Sequence, residues 1–514
     1  MSQLPSPSQG HLLFKTCFYV WNPFTSLLLL GEYISLLDSS CVMLKRFVLV
    51  NGMRLLQSSI SRWWHLDLGR WWYFMPGMQG KVFLSKISFT SGLLHTMSTC
   101  RIAPRIIAEP TRMLMDEKFR LEVHYLPPHR PVTLHSSLLS ERQVTWEAFA
   151  QYISGPDGVV KVDRDESFGG TYFGQEPMGL IWSMKPQDKT DGMRLMKKDV
   201  TTPYVVHISV YDGHISGKFS ENAALATIQV ERWTLAPGVK RVEVRENGIV
   251  GTLFIPPGQG PFPAVLDIWG GGGPLELRAA LLACHGFVSL SLAYIFHSDL
   301  PGPMGSVSVG FDYFEKAFNF LKSHPQVSSD RIAIAGLSFG LTIVLLMAAE
   351  LPNINRWIFF FFLILHRSVD KIRYADNGSV IWRDIVLPIP EDPEQKVKVG
   401  KIRCPVLLIY GDDDQCWPVT EAADDIEKMM QEAGNAHLLT RICYPGAGHI
   451  IEPPYNAFVP ESILVFPKLQ MKAKLLFGGK TEPHSAAQED SWKRLLAFLE
   501  QHLILDGKPL KSQL

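Results

Sequence analysis

The sequence predicts an open, mostly parallel α/β domain preceded by an antiparallel β-sandwich. Three observations lead there. Between about residue 97 and residue 237, apolar and polar side chains alternate with period two. From 238 to about 510, continuous apolar runs alternate with segments of helical spacing. The change falls at "LAPGVK" (Leu235–Lys240), a joint carrying proline and glycine. Period two marks strands with one buried face, whereas wholly apolar runs separated by helices mark a sheet covered on both faces.

In chain order, residues 1–96 fit neither pattern. They show no clear period and cluster tryptophans in "SRWWHLDLGRWWYF". This stretch reads as an appended extension, with Met97 as an alternative start. Its slight basic excess suits a mitochondrial leader, but its Trp- and Leu-rich patches do not. In "KFRLEVHYL", Phe119, Leu121, Val123 and Tyr125 alternate with Arg120, Glu122 and His124. "VVHISVYDG" repeats the pattern through Val206, Ile208 and Val210 before an Asp-Gly turn, and "ALATIQVERWTL" adds a third such strand. These fill the sandwich of residues 97–237.

The α/β domain, residues 238–510, opens with the β-rich "VEVRENGIVGTLFIPPG". "PAVLDIWGGGG" is a strand ending in four glycines, and "GFVSLSLAYI" is another strand. "DYFEKAFNFLKSHPQV" has helical spacing through Phe314, Phe318 and Leu321. The strand "RIAIAG", the helix "TIVLLMAAE", the strand "PVLLIYGDDD" and the helix "DDIEKMMQEAG" follow.

Composition excludes several function classes. Fifty Lys and Arg balance fifty Asp and Glu, so no global charge points to nucleic acid or an anionic membrane. The seven cysteines are scattered without a CxxC pair or a Cys/His cluster, which suits buried thiols in a reducing compartment and no metal site. No run reaches the roughly 18 apolar residues of a membrane span. The chain ends in "KSQL" (511–514), whose last three residues resemble the S-K-L peroxisomal signal.

The chemistry centres on "GLSFG" (Gly336–Gly340). A strand precedes it and a helix follows, the context in which GxSxG forms a nucleophile elbow. A sharp turn there would hold Ser338 in a strained conformation, and side chains at Gly336 and Gly340 would collide with strand and helix. Without partners, Ser338 could equally be a small packing residue. The partners follow in the order Ser, acid, His. Asp412, Asp413 and Asp414 end a strand, at the sheet edge where open α/β folds build sites. The other reading of that run is a solvated turn. Downstream, "ICYPGAGHIIEPPY" puts His449 in a glycine-rich loop. The run Gly270–Gly273 follows an early strand, placing Gly271 and Gly272 to donate with the Phe339 amide to an oxyanion. No GxxxxGK[ST] is present, so a phosphate cradle is the weaker reading of those glycines.

With these residues assembled, the chain resembles the acyl-CoA thioesterases and bile acid-CoA:amino acid N-acyltransferases. The resemblance runs from about Met97 to Leu514. It is carried by "EPMGLIWSM", the stretch Gly251–Tyr294, "GLSFG", "YPGAGHIIEPPY" and "GGKTEPHSAAQEDSWKRLLAFLEQHL". It implies an α/β-hydrolase domain joined to the sandwich, with Ser338 as nucleophile, His449 as base and Asp414 as orienting acid, Asp413 being second choice. Serine marks the family's thioesterase branch and cysteine its transferase branch. The implied activity is therefore hydrolysis of fatty acyl-CoA through a serine acyl-enzyme, with no cofactor and CoA as part of the substrate. Transfer of the acyl group to glycine or taurine is the alternative, and an inactive fold-mate that binds acyl-CoA or a protein partner is a third reading. With this enzyme class the terminal Ser-Gln-Leu implies the peroxisome and its import receptor, cytosol and mitochondrion being the alternatives. The chain departs from the family at Leu341, after the elbow, at Asn353–Ile372, and at "PESILVFPKLQMKAK" (Pro460–Lys474), which reads as an insertion near the site.

Overall fold

The computed structural model describes residues 102–187, 192–271, 273–302, 307–351, 358–359, 372–466 and 471–504. The Trp-rich extension, the terminal Lys511–Leu514, Gly272 and nearly all of Asn353–Ile372 lie outside the described residues.

Two sheets form the sandwich. The smaller orders Arg105–Glu109, Arg120–His124 and Val160–Lys161, all antiparallel. The larger runs Arg112–Leu114, Ala226–Trp233, Tyr204–Asp212, Pro131–Leu139, Thr145–Ile153, Gly169–Gly170. It is antiparallel except for one parallel pair, Arg112–Leu114 beside Ala226–Trp233. The alternation seen in the sequence becomes burial: Trp146, Ala148, Ala150 and Tyr152 point inward from one strand, Val206, Ile208 and Val210 from another.

The α/β domain carries an eight-stranded sheet. Its strands are β1 (Lys240–Glu246), β2 (Ile249–Ile255), β3 (Phe262–Ile268), β4 (Val288–Leu292), β5 (Val327–Gly336), β6 (Ile358–Phe359), β7 (Val406–Gly411) and β8 (Leu439–Tyr444). Their spatial order is β1-β2-β4-β3-β5-β6-β7-β8. β2 runs antiparallel to β1 and β4, and every other pair is parallel. The β1–β2 hairpin turns at Asn247 (φ 54°) and Gly248 (φ 77°), the two left-handed positions that a tight hairpin turn requires. The helices are α1 (Leu277–Cys284), α2 (Phe311–Ser323), α3 (Phe339–Glu350), α4 (Val419–Glu432) and α5 (Thr481–Leu503).

Alternate side chains of one strand enter opposite cores, which is why these strands are apolar throughout. In β3, Val265 packs with Leu281 of α1 and Leu495 of α5. Its neighbours Leu266 and Ile268 pack with Phe318 of α2, Val344 of α3 and Ile426 of α4. The sheet is thus covered on both faces, in the α/β-hydrolase arrangement. The core under α1 and α5 is continuous with that of the sandwich. Polar pins cross the same joint: Asp116 accepts from His285 Nε2 at 2.6 Å and from Trp492 Nε1 at 2.8 Å.

The stretch read as an insertion forms a hairpin, Glu461–Phe466 with Met471–Leu476. It joins Arg373–Tyr374 and Val380–Ile381 in a separate four-stranded sheet.

Candidate active site

The chain between β5 and α3 turns at Ser338, with φ 54° and ψ −123°. That conformation costs a residue bearing a Cβ on the order of 1–3 kcal/mol, so its surroundings must enforce it. They do so by close approach. A Cβ at Gly340 would stand 2.4 Å from the Ile268 carbonyl oxygen and 2.6 Å from that of Trp269. A Cβ at Gly336 would meet Val344 Cγ2 at 2.8 Å and Leu341 Cα at 2.9 Å. The Leu337 N–H donates to the Ile268 carbonyl at 3.2 Å, holding the turn on β3. Leu341, the departure noted after the elbow, is fully buried in the core beneath α3.

His449 and Asp414 meet this serine. Ser338 Oγ lies 2.9 Å from His449 Nε2, and His449 Nδ1 lies 2.7 Å from Asp414 Oδ2. Both partners are buried. The other oxygen of Asp414 accepts the N–H groups of Cys416 and Trp417 at 2.7 and 2.8 Å, which fixes the carboxylate's orientation.

The two neighbouring aspartates are engaged elsewhere. Asp413 accepts from the Gln415 side chain at 2.7 Å and the Gly479 N–H at 2.9 Å, and Asp412 accepts from the Gly446 N–H at 2.6 Å. Each therefore braces a loop around the site while Asp414 faces the imidazole. Burial alone would push the His449 imidazolium down, but the charge and hydrogen bond of Asp414, together with the neighbouring Cys416 side chain, more than reverse this, and the group's pKa is held above the ordinary imidazole value.

The histidine loop has supports that sequence reasoning did not assign. The His449 N–H donates to the Phe477 carbonyl at 2.9 Å, and the Phe477 N–H donates to that of Pro460. The hairpin read as an insertion thus buttresses His449 from behind. On α5, His484 Nδ1 accepts the Gly448 N–H at 3.1 Å. Its Nε2 must then carry the proton, donated to the Ile450 carbonyl at 2.8 Å. Burial pushes His484 down to about 4, so it stays neutral and acts as a fixed clamp on both sides of His449. Arg194 from the sandwich grips Glu452 of the same loop at 2.7 Å. His484 lay inside a quoted stretch, but nothing in its spacing marked it as facing the loop.

Of the three predicted oxyanion donors, Phe339 directly follows the serine, Gly271 follows Gly270 in the glycine loop, and Gly272 lies outside the described residues. Phe339 opens α3, and the first N–H groups of a helix have no partner within it. A Cβ at Gly270 would stand 3.0 Å from Ser338 Cβ, so the glycine loop passes close against the serine side chain. At Gly271 a Cβ would meet nothing within 4 Å, so the loop borders open space there. The Tyr294 hydroxyl donates to the Trp269 carbonyl at 2.6 Å, anchoring the loop where it leaves β3. A hydroxyl, a base held by a carboxylate and nearby free amides together suit acyl transfer to and from the hydroxyl. Among the described residues no group of three or more His, Cys, Asp or Glu is placed to hold a metal, and no helix is long and apolar enough to cross a membrane.

Comparison with known proteins agrees with this architecture. The profile of the acyl-CoA thioester hydrolase/BAAT N-terminal region matches residues 116–246. That of the BAAT/acyl-CoA thioester hydrolase C-terminal region matches 309–361 and 357–505. A Mus musculus protein, peroxisomal succinyl-coenzyme A thioesterase, is 35% identical over 431 residues, spanning 78% of this chain and 97% of its own length. The chain belongs to the acyl-CoA thioester hydrolase/BAAT family. Mus musculus acyl-coenzyme A thioesterase 1 is 36% identical over 77% of this chain and 96% of its own. Homo sapiens acyl-coenzyme A thioesterase 2, mitochondrial, is 35% identical over 78% and 85% respectively. In this family member the elbow, the histidine loop and Asp414 all fall within the C-terminal region's match.

Proposed function

We propose that this chain hydrolyses acyl-CoA thioesters through an acyl-enzyme on Ser338. The observation that carries the reading is the continuous hydrogen-bonded line from Ser338 through His449 to Asp414, at 2.9 and 2.7 Å. His449 Nε2 takes the hydroxyl proton as Oγ attacks the thioester carbonyl. The amides of Phe339 and Gly271 stabilise the developing oxyanion. The C–S bond breaks, and the proton held on His449 passes to the sulfur, releasing CoA as a thiol. Water then gives its proton to His449 and attacks the ester, and that proton returns to Ser338 as the free acid departs. Asp414 keeps Nδ1 protonated, so that Nε2 is free to accept.

Water is the favoured acceptor because the nucleophile is serine. An oxygen ester is less activated toward amines than a thioester is, and the relatives above are named thioesterases. Wild-type protein incubated with a long-chain acyl-CoA is expected to release free thiol at a rate unchanged by added glycine or taurine. Mass spectrometry should then find the free acid as the acyl product. An N-acyl amino acid as the main product would overturn the reading in favour of transfer, and bound acyl-CoA with no thiol released would favour the inactive fold-mate.

For location we propose the peroxisome, from the terminal Ser-Gln-Leu together with this chemistry. Deleting Ser512–Leu514 from an N-terminally tagged chain is expected to convert punctate fluorescence to diffuse. Puncta that persist, or a mitochondrial pattern in both forms, would refute it.

A further inference from the structure

A cleft of about 470 Å³ borders the glycine loop, between the sandwich and the β1–β2 edge of the sheet. Four long cations line it: Arg142 and Lys198 from sandwich loops, and Arg241 and Arg245 from β1. Only two carboxylates, Glu243 and Glu276, line it with them. Arg241 is committed, forked onto Glu276 through two contacts of 2.7 Å. Arg245 pairs with Asp299, and with both side chains more than a third exposed that pair is weak and exchangeable. Neither Arg142 nor Lys198 has an acidic side-chain partner among the described residues. The cleft therefore presents uncommitted positive charge from one wall and a fixed guanidinium from the other.

Its position relates it to the nucleophile. Gly273 lines the cleft, whereas Gly270, three residues earlier, borders Ser338. The Gly273 N–H donates to the Gly270 carbonyl at 3.3 Å, so a single turn of backbone separates the two places. We propose that this cleft holds the phosphorylated nucleotide end of CoA, with Arg142 and Lys198 as its phosphate contacts. The inference rests on the acyl-CoA reading and deepens it. CoA carries a diphosphate and a ribose phosphate on a flexible arm that ends in the reacting sulfur. A cleft lined by four long cations is unsuited to the acyl chain but suited to those anions. With the thioester at Ser338, the arm would follow the Gly270–Gly273 turn outward to the cleft.

The double variant Arg142→Ala/Lys198→Ala, compared with wild type, tests this with two substrates of one acyl group, the CoA thioester and the pantetheine thioester that lacks the nucleotide. Losing two charge-assisted contacts is expected to raise KM for the CoA thioester about 30-fold or more, and to reduce the preference in kcat/KM for CoA over pantetheine by the same factor. In wild type, adenosine 3′,5′-bisphosphate should inhibit competitively against acyl-CoA, with strength falling as salt rises. Noncompetitive inhibition would instead mark a regulatory anion site and overturn the proposal, as would an unchanged preference in the variant. If wild type cleaved neither thioester, the hydrolase reading would fail by itself. Calorimetric titration with the bisphosphate would still decide the cleft: binding that the variant loses supports it, and equal or absent binding in both rejects it.

Discussion

Ser338→Ala is expected to lower kcat for acyl-CoA hydrolysis by about five to six orders of magnitude, leaving only what oxyanion stabilisation and substrate positioning supply. The size follows from the geometry. Ser338 Oγ stands at the open end of the line that runs through His449 to Asp414, so removing it removes the atom that would carry the acyl group and not merely a contact. The substitution is sterically mild, since alanine adds nothing to the close contacts of Gly270, Gly336 and Gly340. A thermal melt of the variant should therefore stay near that of wild type, so that lost turnover cannot be assigned to unfolding. The measurement is thiol release under saturating acyl-CoA, paired with mass spectrometry of protein quenched during turnover. An acyl adduct should appear on wild type and be missing from the variant. Variant turnover within tenfold of wild type would sink the serine mechanism.

Much of this architecture was legible because burial writes itself into local pattern. Val206 and Ile208 alternate with the exposed Val205 and His207 on a strand with one buried face, whereas Val265 and Leu266 are both buried because β3 is covered on both sides. The serine's setting was legible for a similar reason. A strand, two glycines and a helix within a few residues are a local steric statement, and the close contacts at Gly336 and Gly340 express it.

What local pattern could not carry was the sorting of equivalent groups by distant ones. Asp412, Asp413 and Asp414 are chemically alike in sequence. Only the amides of Gly446 and Gly479 and the imidazole of His449, all remote in the chain, assign each its task. His484 is similar, since its clamp on Gly448 and Ile450 depends on α5 returning beneath the histidine loop. The Glu461–Phe466 hairpin looked foreign to the site because its strand partner, Val380 against Leu475, lies far upstream. Arg142 and Lys198 had no motif at all, and they meet β1 only through packing of the sandwich on the sheet. The departure at Asn353–Ile372 is described only at Ile358–Phe359 and Ile372, where the backbone of the first two runs as a strand between β5 and β7.

Asp414→Asn should separate the two things the carboxylate does to His449, its charge and its hydrogen bond. The charge raises the imidazole's pKa against the pull of burial, so in wild type the base is freed only above the ordinary value of 6.5. Since the neutral imidazole accepts the serine proton, wild-type kcat/KM should climb with pH through that raised ionisation. Asparagine removes the charge and leaves the burial, so the acid limb should move to lower pH. The height of the plateau should fall at the same time, by about four orders of magnitude. The Cys416 and Trp417 amides will hold the side-chain oxygen of asparagine where Asp414 Oδ1 now sits, turning its NH₂ toward His449 Nδ1. Nδ1 then becomes an acceptor, the proton moves to Nε2, and the imidazole no longer accepts from Ser338. The pH profile of kcat/KM for both proteins reads both effects at once. A limb that stays in place or moves toward alkali would show that Asp414 does not set the protonation of His449, and a lowered plateau without any shift would restrict its role to orientation.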